Sequence, residues 1–240
     1  MFHPSGPTFA ELTRQCLAST VGGYDLLAPK FDYTPFRTPD TVVEATIASL
    51  PPAARGVDIC CGTGVGARRL RGSCDEVVGI DFSPGMLAEA RRREGLAPHP
   101  VDIRWVHGDV IDTPVLANHG PFDVAVCFGA LGHIHKRDQP TFARAIYRAL
   151  RPGGRFAFPT SPMPGPWTPT WWLARTFNGV MHLRNSLPRP EFYMVYLHFT
   201  LRRAIAVLEE AGFVVVVQAG VYEAPFERLR LVTAHRPSDR

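Results

Sequence analysis

The sequence predicts an α/β fold: a doubly wound, seven-stranded, mostly parallel sheet with an antiparallel last strand and an aromatic cap insertion. Three observations point there. From residue 56 onward, short apolar runs alternate with amphipathic stretches at the spacing of strand–helix units. "VDICCGTGVGA" (57–67) carries a strand into a glycine-rich turn that opens a helix. The last two apolar runs, "FVVVVQ" (213–218) and "RLRLVTAH" (228–235), have no helix between them. They must pair antiparallel, because a parallel crossover needs about a dozen residues or more.

The elements follow in order. Thr8 with Glu11 three positions later is a capping-box pattern and starts the first helix. Thr38-Pro39 starts another, stopped after Leu50 by Pro51-Pro52. "GVDICC" (56–61) is the first strand, followed by the glycine loop and a short helix. "EVVGID" (76–81) is the second, and Ser83-Pro84 opens a helix to about Glu94. "VDIRWVHG" (101–108) and "FDVAVCFG" (122–129) are the third and fourth strands. Asp138 begins a helix ending near Leu150, "GRFAF" (154–158) is the fifth strand, and a helix from Thr200 stops at Gly212.

Residues 159–199 interrupt this rhythm. They hold seven of the 23 prolines and three of the four tryptophans, too aromatic a composition for disorder. A helix from Thr170 to Arg184 would gather Trp171, Trp172 and Phe177 toward one side. The expected organisation is a helical segment over 1–50 that covers the site, a core of 51–158 and 200–240, and a substrate cap at 159–199.

Composition narrows the partners. At 240 residues, 45% of them apolar, the chain can build one large domain with an elaboration. The net charge of +4 is almost all arginine on the positive side, Lys30 and Lys136 being the only lysines. The clusters Arg68, Arg69, Arg71 and Arg91, Arg92, Arg93 lack interleaved aromatic residues, so they read as solvated helix faces and nucleic acid is not expected as a partner. Five cysteines with no C-x-x-C pair imply neither a disulfide framework nor a zinc site. No secretory signal pattern and no apolar run near the ~20 residues of a membrane span are present, so a cytoplasmic protein without a membrane partner is expected. Oligomeric state is not legible.

The glycine loop admits two ligands. Gly62, Gly64 and Gly66 allow a sharp turn and close approach to backbone amides. A dinucleotide would present its pyrophosphate to the helix terminus. Adenosylmethionine would instead present an ammonium, for which Asp58, four residues before Gly62, supplies a carboxylate. Asp81, 19 residues after Gly62, suits ribose hydroxyls in either reading. Asp109, just past the third strand, can accept from an adenine amino group.

Five motifs then line up: "VDICCGTGVG", "GIDFSPGML", "GDV", "LRPGGRFAF" and the amino-terminal "YDLLAPKFD" (24–32). On these the chain, from about Tyr24 onward, resembles class I S-adenosylmethionine-dependent methyltransferases, in the small-molecule group with methyltransferase type 11-like domains. The resemblance implies a Rossmann-like sheet and S-adenosyl-L-methionine as cofactor. It places Gly62 and Gly64 along the methionine moiety, Asp81 on ribose, Phe82 and Met86 around adenine, and Asp109 with the Val110 amide at its edge. Phe128 would lie near the sulfonium, and Tyr24 at the methionine carboxylate. Two positions depart from the family: Cys60 replaces the loop's usual first glycine, and Phe31 replaces a tyrosine and cannot donate a hydrogen bond.

Methyl transfer from a sulfonium is an in-line displacement in which the protein mainly positions the reactants. A histidine serves as general base where the acceptor is a hydroxyl or a protonated amine. His133 and His135 follow the fourth strand, at the sheet edge where open α/β folds bind ligands, and His133 is favoured. Tyr33, Trp171, Tyr193, Tyr196 and His198 are the candidate acceptor contacts. The aromatic cap predicts an apolar or aromatic small-molecule acceptor, and no Asp or Asn pair marks a metal site. A nicotinamide-dependent oxidoreductase and a non-catalytic scaffold on the same fold stand as alternatives.

Overall fold

The computed structural model describes residues 3–34, 37–96, 98–112, 114–188 and 190–238. Seven strands form one sheet in the order β3-β2-β1-β4-β5-β7-β6. They are β1 (Ala53–Ile59), β2 (Cys74–Asp81), β3 (Ile103–His107), β4 (Phe122–Val126), β5 (Leu150–Thr160), β6 (Val214–Gln218) and β7 (Arg230–His235). Strands β1 to β5 are mutually parallel, and β7 runs antiparallel between β5 and β6. The predicted closing hairpin is therefore present.

Alternation along the strands sends side chains to two cores. Val57, Ile59, Val78 and Ile80 enter one, with helices α7 (Gln139–Ala149) and α9 (Leu201–Glu210) over it. Val77, Val124 and Val126 enter the other, beneath α3 (Asp40–Ala48) and α4 (Val65–Leu70). Helices α5 (Pro84–Gly95), α6 (Val115–His119) and α8 (Pro169–Asn185) complete the frame. The strand order reverses between β1 and β4, and at such a switch point the loops leaving the carboxyl ends diverge and leave a crevice.

Ahead of the sheet lie α1 (Phe9–Leu17), α2 (Thr20–Leu27) and a 3-10 turn (Ala28–Tyr33). The capping box at Thr8 and Glu11 is formed. Helix α2 is not legible in the sequence because Gly22-Gly23 lowers its propensity. Ser19 caps it, accepting from Gly22 N–H at 3.1 Å, and a Cβ at position 23 would lie 2.5 Å from the Phe192 ring. Strand β5 starts at Leu150 rather than 154, since Leu150 already pairs with Phe122. Among the described residues no helix is long and apolar enough to cross a membrane.

Candidate active site

The loops at the carboxyl ends of β1 to β4 enclose a cavity of about 610 Å³. At one end stands the glycine loop. Cys60 and Gly62 have φ of 55° and 54°, and this left-handed backbone is the reason glycine suits both positions. Nothing lies within 4 Å of where a Gly62 Cβ would sit, so the loop leaves open space on the cavity side. The Cys60 thiol is held well above its ordinary range by its hydrogen bond to Cys127 and by burial.

Three carboxylates border this end. Asp81 accepts from Gly62 N–H at 2.8 Å and from Ser83 N–H at 2.9 Å, which tie the second strand's end to the glycine loop and to α5. Burial raises its pKa to about 6 against those amides. Asp58 is buried, accepts from Ala67 N–H at 2.8 Å through Oδ2, and has no partner for Oδ1. Burial raises its pKa to about 7. A side chain at position 66 would meet that carboxylate at 2.6 Å and the Phe128 ring at 2.8 Å, so glycine is required there. Asp109 accepts from Ile111 N–H at 2.8 Å and lines the cavity.

A roof made by α2 and the 3-10 turn clasps these loops. Asp25 accepts from Ser83 Oγ at 2.6 Å and Gly85 N–H at 2.8 Å, at the start of α5. Asp32 accepts from Thr63 Oγ1 at 2.6 Å and pairs with Arg93 at 2.6 Å. The two aspartates of "YDLLAPKFD" thus fasten the roof. Between them the Tyr24 ring meets Phe31, Phe82 and His133 edge-on, with centroids 5.9 to 6.4 Å away. Arg37 lines the cavity with its Nε 3.7 Å from Asp32, and that buried nitrogen has no hydrogen-bond partner among the described residues.

The opposite end is aromatic. His133 is sealed at Nδ1, which has no partner, and burial lowers its pKa to about 4, so the ring is neutral. Tyr196 meets it edge-on at 6.3 Å. His135 stacks on Tyr193 at 3.5 Å and pairs with Glu191 at 3.6 Å. The cap segment is bound to α2, where Thr20 N–H donates to the Glu191 carbonyl at 2.9 Å and Tyr193 N–H donates to Thr20 Oγ1 at 2.9 Å.

Residues 57–154 match the family described as "Methyltransferase domain". The 2-phytyl-1,4-naphtoquinone methyltransferase of Thermosynechococcus vestitus is 37% identical over 112 residues, 45% of this chain and 46% of that one. A methyltransferase of Mycobacterium bovis is 35% identical over 122 residues, 49% and 58% of the two chains. The matches span about half the length of these curated relatives. Among solved structures, magnesium protoporphyrin IX methyltransferase from Synechocystis with bound SAH superposes at a TM-score of 0.58 with 16% identity over 82% of each chain. An O-methyltransferase family protein from Burkholderia thailandensis reaches 0.63 with 18% identity, over 91% of this chain and 60% of that one. Residues 57–154 are thus similar to a methyltransferase domain, and the solved neighbours share this chain's fold.

The cavity brings together most of the residues singled out from sequence. Tyr24, Asp58, Cys60, Gly62, Asp81, Phe82, Met86, Asp109, Val110, Phe128, His133, His135 and Tyr193 all line it. Gly64 is placed elsewhere: with φ of 81°, it packs against the Trp105 ring, which a side chain would strike. Tyr33 is 40% exposed and stacks on His3 at 4.9 Å, outside the cavity. Trp171 packs edge-on against Trp172 at 4.8 Å, with Arg175 over its ring. Tyr196 and His198 stand one layer back, against His133 and the Tyr193 hydroxyl respectively. Arg37, Thr38 and Glu191 line the cavity without any sequence signal, since their approach depends on how distant segments pack.

Proposed function

We propose that the chain transfers a methyl group from S-adenosyl-L-methionine to an apolar or aromatic small molecule. The observation that carries this is Asp58: a buried carboxylate with one unpartnered oxygen, bordering a cavity that also holds Asp81 and Asp109. A cationic ammonium beside Asp58 satisfies it, whereas a pyrophosphate would be repelled. Asp81 would hold the ribose hydroxyls, Asp109 and the Val110 amide the adenine edge, and Phe82 and Met86 the ring faces. Bound there, the cofactor supplies an electrophilic methyl group on a sulfonium. Solved neighbours with SAH or SAM in their names support this choice.

The chain's own residues position the acceptor. His133, neutral because burial disfavours its charge, can accept a hydrogen bond from an acceptor O–H or N–H and take up its proton as the nucleophile attacks. Tyr24, Phe128 and Tyr193 surround it with apolar surface and exclude water. Residues 1–50 serve as the cover, 51–158 and 200–240 as the core, and 159–199 as the acceptor cap. The quinone methyltransferases among the relatives support an apolar acceptor.

The test is calorimetric titration with adenosylmethionine, adenosylhomocysteine and NAD(H), followed by a screen of phenolic and amine acceptors. Binding of the adenosyl compounds, weakened in Asp81→Ala, is expected. Binding of NAD(H) alone would restore the oxidoreductase reading, and binding of neither would favour a scaffold.

A further inference from the structure

Helix α8 is apolar on both of its sides. Ala174 and Met181 are buried, Met181 in a cluster with Phe192 and Met194 against which Phe177 and Cys16 pack. On the outer side Leu173 is 74% exposed, Val180 59% and Leu183 69%, with Leu187 at 49% just past the helix end. Positions 173, 180, 183 and 187 fall along one stripe at helical spacing. The loop ahead adds Trp167, 93% exposed. An exposed apolar patch of this kind marks an interaction surface.

Charge decides what covers it. Helix α8 contains no Asp or Glu, and the exposed polar groups beside the stripe include Arg175 and His182. Arg184 is turned inward, donating to the carbonyls of Cys16 at 2.7 Å and Ala18 at 2.8 Å. Glu191, at the cavity's edge, is paired with His135. A second copy packed on this stripe would bring like charges together with no carboxylate on either helix to compensate. Lipid phosphates would complement them, and exposed tryptophan suits the headgroup region.

The stripe also leads to the cavity. Arg184 ties the end of α8 to the α1–α2 link, where Leu17 is 46% and Val21 38% exposed. Val21 and Glu191 both reach solvent and both line the cavity, so its mouth opens beside the end of the stripe.

We propose that the outer face of α8 docks on an anionic lipid surface, with the cavity mouth turned toward apolar acceptors dissolved in that surface. The acceptor part rests on the methyl-transfer reading above; the docking does not. Lying on a bilayer requires no spanning helix.

The full chain is sedimented with vesicles of phosphatidylcholine alone and with vesicles that also contain phosphatidylglycerol. Capture by the anionic vesicles, weakened by salt, is expected. Leu173→Ser with Leu183→Ser should lower partitioning about tenfold or more, and Arg175→Glu about fivefold or more. Adenosylhomocysteine affinity, unchanged in these variants, reports that they are folded and tests the methyl-transfer reading separately. Equal capture of variant and parent, or no capture by anionic vesicles at low salt, overturns the proposal. So does a dimer in light scattering that the Leu183→Ser change dissociates, which would assign the stripe to self-association.

Discussion

At the glycine-loop end of the cavity, Asp81 receives two backbone amides at 2.8 and 2.9 Å, while at the cap end His133 Nδ1 receives none. The first end is made by short loops on adjacent strands, residues 58–66, 81–86 and 109–111. The second is assembled from α2, the loop after β4 and the cap, segments more than a hundred residues apart at the extremes. Backbone hydrogen bonds fix the first geometry before any ligand arrives. Side-chain packing shapes the second, where the buried His133 Nδ1 goes without a partner among the described residues. On the proposed reading, the first end holds the methyl donor and the second chooses the acceptor.

Asp81→Ala should break the first end most severely. It would remove the proposed ribose contact and leave two loop amides without an acceptor, so adenosylhomocysteine affinity should fall by about 4 kcal/mol, close to a thousandfold. Calorimetry reads this directly, and a loss below tenfold would mean the loops hold their shape without the carboxylate. His133→Ala probes the opposite end. Turnover should drop about a hundredfold while adenosylhomocysteine affinity stays within about twofold. Since burial keeps His133 neutral down to about pH 4, its contribution to turnover should be level from pH 5 to 8. A limb near 6.5 that disappears in the variant would show that the ring titrates as if solvated.

The same contrast explains what the sequence reveals. The succession of strands and helices, the closing hairpin and the Asp58, Asp81 and Asp109 positions are legible because each follows from local pattern: alternation, a glycine turn, a carboxylate at a strand end. Tyr33 and Trp171 mislead because an aromatic residue in a cap-like segment has several faces to bury against, and only packing selects one. Tyr33 settles on His3 and Trp171 on Trp172. Gly64 is a subtler case: its spacing fits a ligand loop, yet the constraint on it is the Trp105 ring. Arg37 and Glu191 carry no pattern of their own, and α2 hides behind two glycines, one of which exists to admit Phe192.

Asn178 offers a smaller perturbation of the cap end. Its side chain accepts from Tyr196 N–H at 2.8 Å and donates to the Tyr196 carbonyl at 2.8 Å, fixing the cap segment that backs His133. Asn178→Ala should loosen that segment at a cost of about 1.5 kcal/mol, raising the acceptor KM about tenfold with cofactor affinity unchanged. Equal losses in both would show that the two ends are mechanically coupled.

The smallest effect returns to Asp58. In the free chain burial raises its pKa from 3.8 to about 7, so at pH 6 it is mostly protonated. A raised carboxyl pKa contributes stability that is full below about pH 3.8 and is lost as pH rises through about 7. An ammonium placed beside it reverses the preference and favours the ionised form. Binding at pH 6.5 must then expel a proton from Asp58, and binding at pH 8 need not. Adenosylmethionine affinity should therefore rise with pH across this window, by about fivefold or less between 6.5 and 8. Asp81, with a pKa near 6, would add its own dependence below that range, so measurements are best kept above it. Titrations in buffers of different ionisation enthalpy count the proton directly. In Asp58→Asn both the released proton and the slope should vanish; if either persisted, the ammonium would have to be held by another group.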